Sequence, residues 1–178
     1  MAEFEIYIPA NLSFQDYIAI IQTARVWADG YDKKDLARLS ATLAPEVIVD
    51  YTSVVPAWGE KRYTCHEFAT EWLSPEHLGN KALATQHLLG QPYIKSVSEA
   101  EIVVQWQQLA SHGRWEDESS VSGQSGKKRM IVETSDGRSW MEHKFVRIEG
   151  RWKIARITPE LRYDTGDFMR IRRPEGAA

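Results

Sequence analysis

Near residue 83 the spacing of apolar side chains changes from three-and-four to two, and this constrains the fold more than any single motif. Before it, Phe14, Tyr17, Ile18, Ile21, Ala24 and Ala28 recur at helical spacing behind a candidate cap at Asn11 or Ser13. Trp27 and Tyr31, four apart, share a face beside that stripe. Gly30 is expected to weaken the helix, and Asp32 to cap a second one carrying Leu36, Leu39 and Leu43, which Pro45 ends. A strand over Glu46–Thr52 comes next, with Val47, Val49 and Tyr51 on one side, and then a loop over Val54–Lys61. Thr64 is placed to cap a short third helix holding Phe68, Trp72 and Leu73, stopped at Ser74-Pro75.

Beyond the switch, Leu83–Ile94 puts Leu83, Thr85, His87 and Leu89 on one face. After a turn at Ser98-Glu99, a strand over Glu101–His112 aligns Ile102, Val104, Trp106, Ala110 and His112, with Gln108 as the polar interruption. The Ser- and Gly-rich stretch Gly113–Lys128 reads as a flexible hairpin connection. Strands are predicted over Met130–Glu133 and Ser139–Ile148, joined by a turn at Ser135-Asp136-Gly137. A short turn at Glu149-Gly150 leads into a last strand that Pro159 ends, and Leu161–Arg172 is expected to be helical. Helices followed by consecutive antiparallel strands predict an α+β fold in one domain over residues 1–178. In it a curved sheet wraps against the helices and leaves a conical hollow.

Composition removes several function classes. A net charge of −3 with interspersed acids and bases gives no stripe for nucleic acid, although Arg170-Ile171-Arg172-Arg173 is locally positive. One cysteine, Cys65, excludes an intramolecular disulfide and suits a reducing compartment. The N-terminus lacks the pattern of a secretion signal, and no apolar run reaches membrane-spanning length, so a soluble, cytoplasmic protein is expected. His66 and Glu67 have no ligand-spaced companion for a metal. Gly123-Gln124-Ser125-Gly126 lacks the strand and helix that flank a phosphate loop.

Two imidazoles, a carboxylate and two phenols remain as candidates for proton transfer beside a carbonyl, a task that needs no cofactor. His112 shares the apolar face of its strand, and Asp32 is the expected group to stabilise its charged form if the helix end abuts this strand. The plainer account, Asp32 as a helix cap and His112 as a strand-end histidine, stays open. His87 is either a core histidine or a second imidazole whose tautomer Ser139 fixes from a neighbouring strand. Tyr31 and Tyr51 are either residues at the core's edge or donors to an enolate oxygen.

Several stretches in order resemble the scytalone dehydratase family: Trp27-Ala28-Asp29-Gly30-Tyr31-Asp32, Asp50-Tyr51, Thr85-Gln86-His87 and Gly150-Arg151-Trp152-Lys153. The resemblance covers nearly the whole chain. It implies an NTF2-like cone-shaped barrel, usually a homotrimer, that works without cofactors on a small aromatic polyketide. It implies catalytic roles for Tyr31, Tyr51, His87 and His112, with Asp32 partnering His112 and Ser139 partnering His87. Substrate contacts are implied at Trp27, Val54, His77, Met141, Phe168 and Arg172. Met141 stands where the family has an asparagine that contacts substrate, Arg172 at an aromatic lid position, and His77 at a pocket valine. Proton chemistry is thus expected to be kept and substrate recognition altered. The expected activity is loss of water from a hydroxylated fused-ring ketone in fungal pigment or polyketide biosynthesis. An isomerase, cyclase or rearrangement catalyst using the same pocket is the alternative, and a carrier without catalysis the third.

Overall fold

The computed structural model describes residues 5–116 and 130–173. Its elements run α1 (Phe14–Asp32), α2 (Leu36–Thr42), β1 (Leu43–Asp50), β2 (Glu60–Thr64), α3 (Cys65–Trp72), β3 (Leu83–Val97), β4 (Glu101–Trp115), β5 (Ile131–Ile148), β6 (Arg151–Gly166) and α4 (Phe168–Ile171). The strands form one mixed sheet in the order β2-β1-β6-β5-β4-β3, parallel only between β1 and β6. Register shifts in β3, β4, β5 and β6 mark bulges, which bend strands and let a long sheet curl around a core. The architecture is the α+β one that the element order predicts and the NTF2-like one that the family resemblance implies.

The inward face of the sheet and the apolar stripe of α1 meet in one core. Ile20, Ala24, Trp27, Ala28 and Tyr31 from the helix pack with Val47, Val49, Ile102, Val104, Trp106, Phe145, Ile154 and Ile157. Ser13 caps α1 by accepting from the Asp16 amide. Asp16 in turn accepts from the Trp152 indole at 2.8 Å and from Arg147 at 2.7 Å, which ties the start of the helix to the last hairpin. That hairpin turns at Glu149 and Gly150, both at positive φ, the conformation two-residue hairpin loops favour. Thr64 and Glu67 form a reciprocal capping box on α3.

Several expectations are corrected. Helix α1 does not weaken at Gly30 but runs through it to Asp32, and Asp35 caps α2 by accepting from the Arg38 amide. A Cβ at position 30 would meet the Leu39 backbone at 2.9 Å, so glycine there serves the close approach of the two helices. The expected loop over Val54–Lys61 gives way to β2 from Glu60, paired with β1. Ser135-Asp136-Gly137 is not a turn. Ladders to β4 on one side and β6 on the other hold it extended, and Ser111 Oγ donates to Asp136 at 2.7 Å.

Pro159 does not end β6. Pairing with β1 stops at Ile157, so beyond it β6 has a single partner strand and tolerates a residue without an N–H, as an edge would. The helix expected over Leu161–Arg172 shrinks to α4, because the sheet claims the chain as far as Gly166. Of the hairpin connection Gly113–Lys128, Gly113, Arg114 and Trp115 extend β4. The remainder of that connection, including the Gly123–Gly126 stretch, falls outside the described residues apart from Glu116.

Candidate active site

Because Asp35 caps α2, the Asp32 carboxylate is free to reach β3. One oxygen lies 2.7 Å from His87 Nδ1, and the carboxylate also accepts the His87 backbone N–H at 2.9 Å. This corrects the expected pairing of Asp32 with His112. The last turn of α1 packs on β3, where Thr85 Oγ1 also donates to the Tyr31 carbonyl at 3.3 Å, so the carboxylate meets the first histidine it faces.

His112 takes a different anchor. Its Nδ1 lies 3.2 Å from the Ser135 carbonyl on β5. Carboxylates and carbonyls accept only, so in both histidines Nδ1 carries the proton and Nε2 is the basic nitrogen. The two rings are 5.7 Å apart, centre to centre. Burial, and then the proximity of His87, lower the His112 pKa to about 4, so its ring is neutral near pH 7.

Tyr31 is 2% exposed, and its ring lies 5.2 Å from that of His87. Its hydroxyl is buried without a hydrogen-bond partner among the described residues. Burial, and then the neighbouring Tyr51 phenol, push its pKa well up, and burial does the same for Tyr51. Both phenols therefore stay protonated and remain donors. Tyr51 follows the end of β1 and stacks 4.7 Å from Trp72, which stands 6.4 Å from Tyr31. Tyr31, His87 and His112 thus form one connected wall, which Trp72 extends to Tyr51.

The remaining candidates separate into three groups. Trp27 is buried against Tyr31 and His87, 5.0 and 6.3 Å away, and Phe168 lies over His112 at 4.7 Å. His77 and Arg172 line a cleft of about 320 Å³ together with Tyr51, Trp58 and Trp72. Outside that arrangement, Ser139 does not partner His87. It stands opposite Gln108 on β4, one inward pair along the sheet from Ala110 and His87, and its hydroxyl donates to the Gln108 amide oxygen at 3.0 Å. Met141 is 2% exposed within the core, opposite Trp106. Val54 is partly buried in the turn after Tyr51, its amide donating to the Tyr51 carbonyl. Among the described residues no three His, Cys, Asp or Glu side chains are grouped to hold a metal ion.

One inward-facing histidine escapes a reading of short motifs. His143 on β5 is fully buried, 4.6 Å from Trp27 and 5.9 Å from Phe145, with neither ring nitrogen hydrogen-bonded among the described residues. Burial lowers its pKa to about 3. The signal available for it was period-two alternation alone, since it pairs across from Val104 on the same inward face.

The scytalone dehydratase family profile matches residues 11–176. This chain belongs to that family. It is 55% identical to the dehydratase cfoI of Aspergillus candidus over 98% of both chains. It is 31% identical to the scytalone dehydratase of Pyricularia oryzae, over 90% of this chain and 88% of that one. Among solved structures, a hexachlorocyclohexane dehydrochlorinase superposes with a TM-score of 0.64 at 16% identity, over 92% of this chain and 96% of that one. The Kfla4162 protein of Kribbella flavida gives 0.67 at 16%, over 89% and 97%. At such identities the two structures show the shared fold alone.

Proposed function

We propose that this family member is a cofactor-free hydro-lyase that removes water from a hydroxylated, partly reduced fused-ring ketone in fungal aromatic polyketide metabolism. Membership of the family supports a dehydratase. The observation that carries the mechanistic reading is the Asp32–His87 pair, with no hydrogen bond to His87 Nε2 among the described residues and the Tyr31 hydroxyl unpartnered among them, its ring 5.2 Å away.

In this reading Tyr31 and Tyr51 donate, directly or through a bound water, to the substrate carbonyl oxygen, where negative charge develops. The adjacent C–H proton passes to His87 Nε2, and Asp32 stabilises the imidazolium that forms. The enolate then collapses, the carbon–oxygen bond to the leaving hydroxyl breaks, and the His87 imidazolium returns its proton to the departing oxygen. One proton moves twice and one water leaves. His112, neutral and anchored through Nδ1, accepts a hydrogen bond at Nε2 from the substrate and so orients it. Acid–base assistance from a positioned group is worth about 10²–10⁴ in rate. Aromatisation of the product supplies the driving force.

The test incubates the protein with a panel of hydroxylated fused-ring ketones and reads the product by mass spectrometry. A product lighter by one water supports the proposal. An isomeric product from the same pocket assigns the chain to isomerisation or cyclisation instead.

A homotrimer belongs to the same proposal. On the outer face of the sheet, Leu88, Leu109, Arg138 and Tyr163 form a cross-strand row beside Trp140, and Leu88, Trp140 and Tyr163 are each at least 39% exposed. Apolar surface of this kind favours self-association. Sedimentation at micromolar concentration checks it, and a monomeric mass would remove the trimer from the reading.

A further inference from the structure

The identity of a substituent on the substrate can be argued from the cleft beside Tyr51, given the ring-ketone reading above. Three arginines crowd the end of the described chain, and they are not treated alike. Arg170 and Arg173 both pair with Glu133, at 2.8 and 2.7 Å. Arg172, between them, forms no ion pair among the described residues. Its side chain reaches only the Met169 sulfur at 3.5 Å and stands 5.7 Å over the Phe168 ring. Burial alone lowers its pKa, with no carboxylate acting in the other direction. A partly buried guanidinium without a counter-charge is a costly thing to keep unless an anion arrives to meet it.

The surroundings complete a site. His77 lines the same cleft, 4.4 Å from Trp72 and 5.9 Å from Trp58. Its Nδ1 is buried and unpartnered, so Nε2 is the nitrogen with surface to offer. Lys61 adds a second cation to the lining. Glu71 and Glu76 line the cleft as well, yet Glu71 accepts from the Tyr63 hydroxyl at 3.2 Å, and neither acid bears on Arg172 or His77. Trp58, Trp72 and Tyr51 give flat apolar walls for an aromatic ring.

We propose that this cleft is a carboxylate subsite, in which Arg172 takes a free carboxylate carried by the aromatic ketone and His77 Nε2 supplies a second polar contact. A guanidinium fork matches a carboxylate in shape and charge, and the aromatic walls exclude the water that would weaken the pair. The ring then spans from Arg172 to Tyr51, with the ketone end toward Tyr31. Substrates of this class are ring ketones that keep an acid group, rather than neutral polyphenols.

Binding of 1-naphthoate and of its methyl ester, measured by isothermal titration calorimetry, tests the subsite without any turnover. The acid should bind about tenfold tighter than the ester or better. Arg172→Gln should erase that preference and Arg172→Lys should keep part of it. Equal binding of acid and ester, no binding of naphthoate at millimolar concentration, or a preference that survives in Arg172→Gln would overturn the proposal. Because no water loss is measured, the dehydratase reading can fail while the subsite stands, and the reverse.

Discussion

His87 and His143 sit on the same inward surface and touch the same tryptophan, yet only one is equipped for chemistry. His87 has a carboxylate at 2.7 Å on Nδ1 and no hydrogen bond on Nε2 among the described residues. His143 has nothing on either nitrogen and is held neutral by burial. The strand pattern that turned each ring inward is the same. What separates them is which helix end arrives opposite: α1 delivers Asp32 to His87, while at His143 the facing groups are indole and phenyl rings. A buried imidazole becomes a base only when something compensates its charge.

The largest expected effect that would break this contrast is Asp32→Asn. It keeps the shape of the pair but removes the charge, and turnover should fall about 10²–10⁴-fold with ligand binding largely kept. Near-normal turnover in a steady-state assay would mean that Asp32 only holds the helix to β3. His112→Ala comes next. If that ring orients substrate rather than transferring the proton, turnover drops about 10–100-fold, less than for Asp32→Asn. A reversed order would hand the proton transfer to His112. Tyr31→Phe separates function from stability: it deletes a buried hydroxyl that has no protein partner. Turnover should fall about tenfold or more while the melting temperature holds or rises.

The smallest effects concern His143. Replacement by Leu removes two unsatisfied ring nitrogens from a fully buried position, so stability at neutral pH should be unchanged or greater and turnover should stay within about threefold. The pH dependence sharpens the point. His77, His112 and His143 all have folded pKa values of about 3 to 4, below the 6.5 of an unstrained histidine. The unfolded chain therefore binds more protons below pH 6.5. Stability is fully present above that value and is lost as the pH falls toward 3, at up to about 1.4 kcal/mol per pH unit for each group. Denaturant unfolding between pH 4 and 6 should show a shallower loss for His143→Leu, and an unchanged slope would mean that His143 finds a partner in solution.

Much of this molecule was legible in its residues. The spacing of apolar residues gave the order of helices and strands apart from β2, and Glu149-Gly150 gave its hairpin. The order of short stretches from Trp27 to Lys153 pointed to the family. Alternation also turned His87 and His112 inward correctly. Errors came where pairing overrode local preference. Ser135-Asp136-Gly137 looks like a turn until strands on both sides claim it, and Pro159 looks like a stop until β1 proves too short to need its N–H.

The pairing of groups across elements was decided by the tertiary structure alone. Sequence supplied an aspartate, two candidate histidines and a serine, but not which would touch. Asp35 took the capping role, Gly30 let α2 pack close, and the carboxylate of Asp32 was left to meet His87, while Ser139 turned to Gln108. Local order follows from side-chain periodicity along the chain, which any one strand or helix already contains. A hydrogen bond between residues 55 apart depends on helix length, capping and register at once, and those are fixed only when the whole sheet has closed over its core.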